Sequence, residues 1–384
     1  MVLSIGICGG GVGGLTAAIA SKRAGHRVTV FEQSPLFGRV GADVNLTPNA
    51  VRALDGLGGA LPAALRETAA QPTHRISRTW DTGEITSNIE MAEAAVAKYG
   101  APQLTIHRAD LLSALQAELG ADEIRMGARI AGIDESTLPS GPRPGIRLAD
   151  GTLERFDAVI GADGIHSVVR TALLGPDKPE FTGLVSYRSV VARETLDLPH
   201  LDAFTKWWGP TPDLQIVTFP LNRGRETFVF ATSAQDDWRE ESWTLPGDVA
   251  ELRHIYRDFH PEARALLAAC TSVTKSALYV RQPLPSWSRG AVGLLGDACH
   301  PMVPFMAQGA CQAIEDAVVL GRALKDVTAA GLAAALQAFE AARKPRTSRV
   351  QDGSRGNEWL KQGGNADWVY GYDAWRTPLD GIAV

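Results

Sequence analysis

The glycine spacing near the start of the chain constrains the fold more than any other feature of the sequence. Residues 2–7 form an apolar, strand-like stretch, a glycine-rich loop follows, and small residues then continue at helical spacing. Gly9, Gly11 and Gly14 fit the pattern G-x-G-x-x-G, which permits a tight turn, close approach of the backbone to a pyrophosphate, and packing of helix on strand. A second strand-like stretch ends at Glu32, where an acid that binds a ribose is expected. This order predicts a dinucleotide-binding βαβ unit rather than a plain glycine-rich turn, and the acid favours FAD or NAD over NADP.

A second segment repeats the order of strand, polar loop and helix. The apolar run 156–161 leads to Asp163 and Gly164, and Ser167 and Arg170 follow at the start of a helical stretch. Asp163 can accept hydrogen bonds from N–H groups of the loop, which would hold the loop against a cofactor. A capped helix start without any ligand is the alternative interpretation.

A third segment has the same organisation. The apolar run 291–295 stops at Gly296 and Asp297, and a loop rich in proline and glycine leads to a helix that opens at Gln308 and Gly309. Asp297 offers a carboxylate to sugar hydroxyls, and the unpaired N–H groups of the helix start favour an anion such as a reduced flavin ring. Taken alone, this segment is equally compatible with an ordinary turn from strand to helix.

The stretch from about 176 to 280 differs in character from the rest of the chain. Its strand-like segments are joined by turns that contain proline and glycine, which predicts a mainly antiparallel sheet inserted into an α/β chain. Aromatic residues on these segments, Tyr187, Phe204 and Phe219 among them, either line a pocket for a flat ring or pack in the core. A C-terminal tail rich in tryptophan and tyrosine is predicted to dock on the body of the protein or on a second subunit.

Composition excludes several classes of function. The chain has 384 residues and a formal net charge of −5 without long runs of one sign, which argues against binding to nucleic acid. Its four cysteines show no CxxC spacing, so no metal site is predicted. The sequence contains no apolar segment of ~20 residues and no basic-then-apolar leader, from which we expect no membrane span and a cytoplasmic location.

In this order and spacing, the three motifs resemble those of single-component FAD-dependent aromatic hydroxylases with the p-hydroxybenzoate hydroxylase-like fold. The likeness extends over nearly the whole chain. Within that group the sequence looks most like the salicylate hydroxylase and 6-hydroxynicotinate 3-monooxygenase families, through residues 107–111, Lys206-Trp207-Trp208, 296–302, 306–311 and 368–373. It departs from the hydroxynicotinate pattern at Asn45, where that family has a histidine, and near Val217, where it has a tyrosine.

The expected fold class is α/β, with a Rossmann-like FAD-binding domain, an inserted mainly antiparallel β-sheet substrate domain and a helical C-terminal region. We predict that residues 1–71, 100–175 and 281–355 form the FAD-binding domain. Residues 72–99 and 176–280 are predicted to form the substrate domain, and residues 356–384 the docking tail. A monomer or a homodimer is expected.

The motifs and the resemblance together imply a set of site residues. Cofactor contacts are expected at Gly9, Gly11, Val12, Gly13, Gly14, Glu32, Gln33, Arg39, Arg108, Asp163, Asp297, Pro301, Gln308, Gly309 and Ala310. Substrate contacts are expected at Asn45, Tyr187, Phe204, Val217, Phe219 and His300. His300 is also the candidate catalytic group, because it lies in the loop between the third strand and its helix. For Arg39, Arg108 and Asn45, a surface arginine, a salt-bridged arginine and ordinary turn chemistry are the respective alternatives.

The resemblance implies bound FAD, with NADH or NADPH as a transient co-substrate and O2 as the oxidant. The sequence contains no second G-x-G-x-x-G motif, which agrees with a nicotinamide cofactor that binds transiently and has no domain of its own. The reduced flavin would add oxygen at C4a and pass one oxygen atom to a small hydroxylated aromatic acid or hydroxypyridine, with or without loss of the carboxylate. The alternatives are a flavin dehydrogenase or oxidase without oxygen insertion, and a flavin-binding module without catalysis.

Overall fold

The structure is a computed structural model that describes residues 1–38, 43–135, 137–138, 141–242, 244–357, 359–361 and 365–379. Arg39, one of the predicted cofactor contacts, lies outside these residues.

Strands occur along most of the chain and are numbered in chain order. They are β1 Ser4–Cys8, β2 Arg27–Phe31, β3 Asp43–Leu46, β4 His74–Thr79, β5 Ile85–Glu90, β6 Leu104–His107, β7 Ile124–Arg125, β8 Ile130–Asp134, β9 Thr137–Leu138, β10 Gly141–Pro142, β11 Gly145–Leu148, β12 Leu153–Arg155, β13 Ala158–Gly161, β14 Glu180–Ala192, β15 Phe204–Trp208, β16 Gln215–Leu221, β17 Glu226–Ala234, β18 Pro246–Gly247, β19 Val273–Val280, β20 Ser288–Arg289 and β21 Val292–Leu294.

The helices are numbered in the same way. They are α1 Val12–Arg23, α2 Pro48–Leu57, α3 Leu61–Thr68, α4 Glu93–Tyr99, α5 Arg108–Gln116, α6 Val168–Leu174, α7 Val249–Ile255, α8 Pro261–Ala269, α9 Gly309–Leu324, α10 Leu332–Gly356 and α11 Asp367–Tyr370. The two helices predicted between Glu315 and Ala341 are α9 and α10, and both extend beyond those limits.

A six-stranded sheet in the order β20-β21-β13-β1-β2-β7 forms the centre of the first unit. Strand β1 pairs in parallel with β2 and β13, and β13 pairs in parallel with β21. Parallel strands covered by helices are buried on both faces, which explains why β1 and β13 are apolar at nearly every position. The three predicted motifs follow β1, β13 and β21, so the sheet brings their loops to one edge, where ligands bind in open α/β sheets.

The second unit is an eight-stranded sheet in the order β18-β19-β14-β17-β16-β15-β4-β5. Its pairs are antiparallel except for β4 and β15, which run in parallel. All of these strands lie within residues 72–99 and 176–280, the segments predicted to form the substrate domain. The division of the chain into domains stays a prediction.

The two faces of this sheet pack against different partners. On one face, Tyr187, Trp207 and Ile216 form a core with side chains of α7 and α8. On the other face, Phe204, Phe219 and neighbouring phenylalanines form a separate cluster. Because side chains alternate along a strand, one strand supplies both clusters.

The C-terminal tail packs on the body of the protein. Tyr370 is fully buried, in one cluster with Met91, Met306 and Val350. The Trp375 indole N–H donates to the carbonyl oxygen of Ala53 in α2, at 3.1 Å. The tail therefore contributes to the hydrophobic core of the chain itself. Separately, none of the helices in the described ranges combines the length and the apolar character needed to cross a bilayer.

Tyr256 provides a test of how the second sheet is held to its helices. Its buried hydroxyl has the carbonyl oxygens of Gln215 and Thr232 as the two acceptors within reach of its single proton, and it accepts from the Thr232 N–H at 3.1 Å. We expect Tyr256→Phe to lower the free energy of unfolding by about 1–3 kcal/mol, because it leaves buried backbone groups unpaired. Urea unfolding measures the change. Tyr279→Phe, which removes a hydroxyl at the surface, is the control, and equal losses in both variants would contradict the interpretation.

Candidate active site

The glycine loop after β1 forms a tight turn into α1. Gly9 has φ +103°, and its N–H donates to the Phe31 carbonyl at 2.8 Å. A Cβ on Gly14 would lie 1.9 Å from the Gly9 carbonyl oxygen, so the helix can approach the strand only with glycine there. A Cβ on Gly11 would meet nothing nearer than the Arg108 guanidinium at 3.7 Å. Open space above Gly11, at the N-terminus of α1, suits a phosphate group.

Other predicted residues surround this turn. Glu32 Oε2 accepts from the Gly10 N–H and its Oε1 accepts from the Ser34 N–H, each at 2.8 Å, while Gln33 beside it is exposed. Each Glu32 oxygen retains a lone pair for a ligand. Val12 is buried, and a Cβ on Gly13 would lie 2.8 Å from a methyl group of Leu295, so these positions serve the packing of α1.

Arg108 connects the first motif to the third. It begins α5, and burial lowers the pKa of its guanidinium while the nearby charges of Asp297 and Glu32 oppose that change. An arginine between two carboxylates, directly beside the open space above Gly11, can offer its remaining N–H groups to a phosphate.

The Asp163 carboxylate is used largely within its own loop. It accepts from the Ser167 hydroxyl and from the N–H groups of Val168 and Val169, and Ser167 in turn caps α6 by accepting from the Arg170 N–H. Burial raises the pKa of Asp163 even though these hydrogen bonds lower it. Asp163 therefore holds the loop, and any contact that it makes to a cofactor is additional to this role.

Asp297 lines a cleft. Solvent reaches the Asp297 side chain, although many protein atoms surround it. The loss of bulk water around the carboxylate is the main cause of its raised pKa. A carboxylate that solvent reaches deep inside the fold lies in an internal opening. Asp297 is therefore free to meet hydroxyl groups of a ligand that enters this opening.

The start of α9 forms another wall of the cleft. Ala307 has φ +55°, and α9 begins at Gly309, where an added Cβ would meet no atom within 4 Å. The Gln308 side chain is buried and donates to the Thr47 hydroxyl at 2.8 Å, so only its backbone is available to a ligand. The Pro301 carbonyl similarly accepts from Gln351. The N–H groups of Gly309 and Ala310 remain as donors toward the open space.

Of the predicted substrate residues, Phe204, Phe219 and Val217 share one face of the second sheet, and Asn45 lies in β3. Phe204 and Phe219 stack on the face of the sheet that carries Lys206, with ring centroids 5.5 Å apart, and Val217 packs beside them. Asn45 accepts from Gln103 at 2.8 Å through Oδ1, whereas its buried Nδ2 has no partner among the described residues. An amide nitrogen of this kind is available to a ligand.

Tyr187 is a correction to the predicted pocket. It lies on the opposite face of the sheet, against α7 and α8, and its hydroxyl accepts from Gln235 at 2.8 Å. Burial and the nearby Glu251 raise the pKa of the phenol. Strand alternation decides the face, and the sequence alone did not reveal which face would meet the cofactor unit.

The catalytic and substrate-binding roles of His300 stay predictions. Its side chain is fully buried, Nε2 hydrogen-bonds Asp316, and the ring lies 5.3 Å from that of Trp287. Burial alone would raise the pKa of Asp316, but His300 and Arg343 lower it to about 2. His300 is thus enclosed behind the Asp297 turn and does not line the cleft. Through Asp316 the imidazole links the loop that carries Asp297 to α9, and its buried Nδ1 has no partner among the described residues.

Cys299, His300 and Asp316 bring three possible metal ligands within 4.8 Å of one another. Each already has a hydrogen-bond partner, since Cys299 donates to the Gly296 carbonyl and Asp316 accepts from Arg343. Burial, and then the charges of Asp316 and Asp297, raise the pKa of Cys299 well above its usual range. These hydrogen bonds join the three residues to the Gly296 turn and to α10.

Sequence reasoning missed a buried network of charges behind the cleft. Arg343 of α10 contacts Glu315 at 2.8 Å and Asp316 at 2.7 Å, all three being fully buried, and Arg346 also contacts Glu315. Adjacent acids within an otherwise apolar helix were the available signal, because buried carboxylates require partners. The partners come from a helix whose packing the sequence does not reveal.

Comparisons with known proteins agree with this geometry. The model of the FAD binding domain family matches residues 2–354. The chain is 37% identical over 379 residues to 6-hydroxynicotinate 3-monooxygenase of Bordetella bronchiseptica, covering 98% of this chain and 96% of that protein. It is 35% identical over 394 residues to 3-amino-4-hydroxybenzoate 2-monooxygenase of Streptomyces platensis, covering 96% of each. A substrate complex of salicylate hydroxylase superposes with a TM-score of 0.83 and 25% identity, covering 97% of this chain and 96% of that one.

Two glycine variants separate packing from cofactor contact. We expect Gly14→Ala to destabilise the FAD-free protein by about 1–3 kcal/mol, because the methyl group collides with Gly9. Gly11→Ala should leave the FAD-free protein unchanged but weaken FAD binding about tenfold or more, since its methyl group occupies the open space. Thermal unfolding and FAD titration measure the two effects. Unaltered FAD affinity in Gly11→Ala would exclude the predicted pyrophosphate position.

His300 can be tested as a positioning residue. We expect His300→Ala to retain FAD but to form less product per NADH consumed, because Asp316 loses a hydrogen-bond donor and the Asp297 loop shifts. His300→Gln supplies an N–H in place of the imidazole and should restore most of the coupling, although an amide cannot accept a proton. Product and NADH are measured together. If His300→Gln forms as little product per NADH as His300→Ala, proton transfer by His300 would be favoured instead.

Proposed function

The chain belongs to the FAD binding domain family and is an FAD-dependent aromatic monooxygenase, and from this premise we propose that its substrate is a small aromatic acid or hydroxypyridine with a ring hydroxyl. One observation carries the proposal. The loops after β1, β13 and β21, which carry the glycine turn, Asp163 and Asp297, meet at one edge of the parallel sheet, where a flavin can be held.

The residues of the cleft fit FAD. The open space at Gly11, the oxygens of Glu32 and the guanidinium of Arg108 suit a pyrophosphate and a ribose, and Asp297 suits the ribityl hydroxyls. When bound, FAD accepts a hydride from NADH or NADPH and activates O2 for insertion into the ring. These cofactor contacts are proposals, as is that of Arg39.

The chain itself contributes orientation, electrostatics and the exclusion of water. The N–H groups of Gly309 and Ala310 can stabilise negative charge at the start of α9. Phe204, Phe219 and Phe228 pack on one another with centroid distances of 5.5 and 5.0 Å and form a buried apolar layer from which water is excluded. The Asn45 amide nitrogen is a donor for a substrate oxygen.

The substrate class is supported by the relatives. The curated relatives described above are named for 6-hydroxynicotinate and 3-amino-4-hydroxybenzoate, and both of these compounds combine a ring hydroxyl with a carboxylate. A ring hydroxyl raises the electron density at the carbons ortho and para to it. These carbons therefore react more readily with an electrophilic oxygen. The preference between NADH and NADPH, the fate of the carboxylate, the monomeric or homodimeric state and the cytoplasmic location stay predictions.

A substrate panel tests the proposal. Hydroxylated benzoates and hydroxypyridine carboxylates are added to the FAD-loaded protein, and consumption of NADH, NADPH and O2 is followed together with product mass. We expect at least one compound to accelerate nicotinamide oxidation about tenfold or more and to gain one oxygen atom. A gain of oxygen with loss of carbon dioxide identifies the decarboxylating reaction. Oxidation of NADH without oxygen in any organic product would contradict the proposed class.

A further inference from the structure

Lys206 is a buried lysine that the reaction described so far does not use. It lies in β15, is 3% exposed, and its ammonium group donates to the Asn357 side-chain oxygen at 2.7 Å. No carboxylate among the described residues pairs with it. An ammonium group has three donors, so two of them have no acceptor in the described part of the chain.

Two further cations lie beside it. Burial, and then the positive charges of Arg75 and Lys361, lower the pKa of Lys206 well below its usual range. Arg75 is itself buried, with Phe204 and Trp359 at 4.7 and 4.9 Å from its guanidinium carbon, and Lys361 lies 5.5 Å from the Trp208 ring. The described residues supply no ion-pair partner to any of these cations. Buried charge of one sign without a counter-ion is costly, so Lys206 either gives up its proton or keeps it when an anion binds beside it.

Neutral hydrogen-bond donors around Lys206 also lack partners. Trp208 packs on the Lys206 ammonium at 3.6 Å and leaves its buried indole N–H unpaired within the described ranges. Gln215, opposite Trp208 in the ladder, is 1% exposed, and neither atom of its amide has a partner there. Directly opposite side chains of an antiparallel pair lie on the same face, so these donors share the face of Lys206.

Part of this face is reached by solvent and lies near the segment before α9. Lys206 is opposite Val217 in the ladder between β15 and β16, and Val217 is partly exposed. Its ammonium lies 5.8 Å from the ring of Phe305, which is also partly exposed and stands four residues before α9 begins. Lys206 and Arg75 thus lie on the same sheet face as the phenylalanine cluster, and Lys206 is close to the segment that leads into α9.

We propose that Lys206, with the indole of Trp208 and the amide of Gln215, forms the subsite that receives the carboxylate of the aromatic substrate, while Arg75 and Lys361 provide a positive surrounding. This inference rests on the proposed function, because it assigns one end of the proposed substrate. Charge-assisted hydrogen bonds from an ammonium group to a carboxylate are strong where water is excluded. The subsite therefore selects aromatic acids over neutral rings of the same shape and fixes which ring carbon faces the flavin.

The experiment compares each acid with its primary amide, for example 6-hydroxynicotinate with 6-hydroxynicotinamide, on the FAD-loaded protein. Affinity is read from the change in flavin absorbance and from the shift in Tm, neither of which requires turnover. We expect the protein to bind the acid about tenfold or more tightly than the amide, and Lys206→Met to bind the two about equally. Because methionine fills similar space without a charge, the ligand-free Tm should stay or rise.

Lys275→Met is the matched control. Lys275 is a buried lysine of the same sheet that contacts Glu251 at 3.0 Å in the core of the other face. Its replacement should lower the ligand-free Tm and leave the ratio of acid to amide affinity unchanged. A change of that ratio in both lysine variants would overturn the assignment to Lys206.

Trp208→Phe keeps an aromatic ring beside Lys206 and removes the indole donor, so it decides the matter if Lys206→Met fails to fold. We expect this variant to weaken binding of the acid severalfold and to change binding of the amide little. Equal affinities of acid and amide in the unaltered protein, or an unaltered ratio in Lys206→Met or Trp208→Phe, would overturn the subsite. If no aromatic compound gains oxygen while the protein still separates acids from amides, the proposed function fails and the subsite stands.

Discussion

The fully buried ion network around Arg343 holds α9, α10 and the loop after β21 together. Burial alone would lower the pKa of this guanidinium, but Glu315 and Asp316 raise it, so the charge is retained inside the protein. Asp316 also accepts from the Gly296 N–H at 3.0 Å and from His300, which fixes the turn that presents Asp297. Helix α10, helix α9 and the loop after β21 thereby form one unit. Removing any single member would leave an unpaired buried charge, a change that typically costs several kcal/mol.

The two faces of the second sheet have different roles, because side chains alternate between the faces along each strand. In β15, Trp207 packs on α7 and α8, whereas Phe204 and Lys206 point to the other side. The apolar face fixes the sheet on its helices, and the opposite face combines a phenylalanine cluster with buried cations. This arrangement suits an enzyme that must bring a charged aromatic compound into a dry site, because the charge and the ring then have separate partners.

Most of the fold could be predicted from local patterns. The glycine spacing and the residues at the ends of β1, β13 and β21 predicted three loops that meet at one edge of the sheet, because a tight turn, a strand end and a helix start each have a local chemical signature. The antiparallel insert was recognisable from its short strands and its turns. The face of Tyr187 and the partner of His300 were not foreseen, since the face of a strand and the partner of a buried imidazole depend on elements distant in sequence. The Asp316 partner of His300 and the Asn357 partner of Lys206 show the same dependence.

The sequence by itself determined the parallel sheet, the order of the three cofactor loops and the family of the chain, because each of these depends on residues that are neighbours along the chain. Tertiary structure decided which side chains remain accessible in the cleft and which are consumed by the core. Asp297 is reached by solvent while His300, three residues later, is enclosed. That difference arises where α9 and α10 pack against the loop, and long-range packing of this kind has no signature in the spacing of the residues themselves.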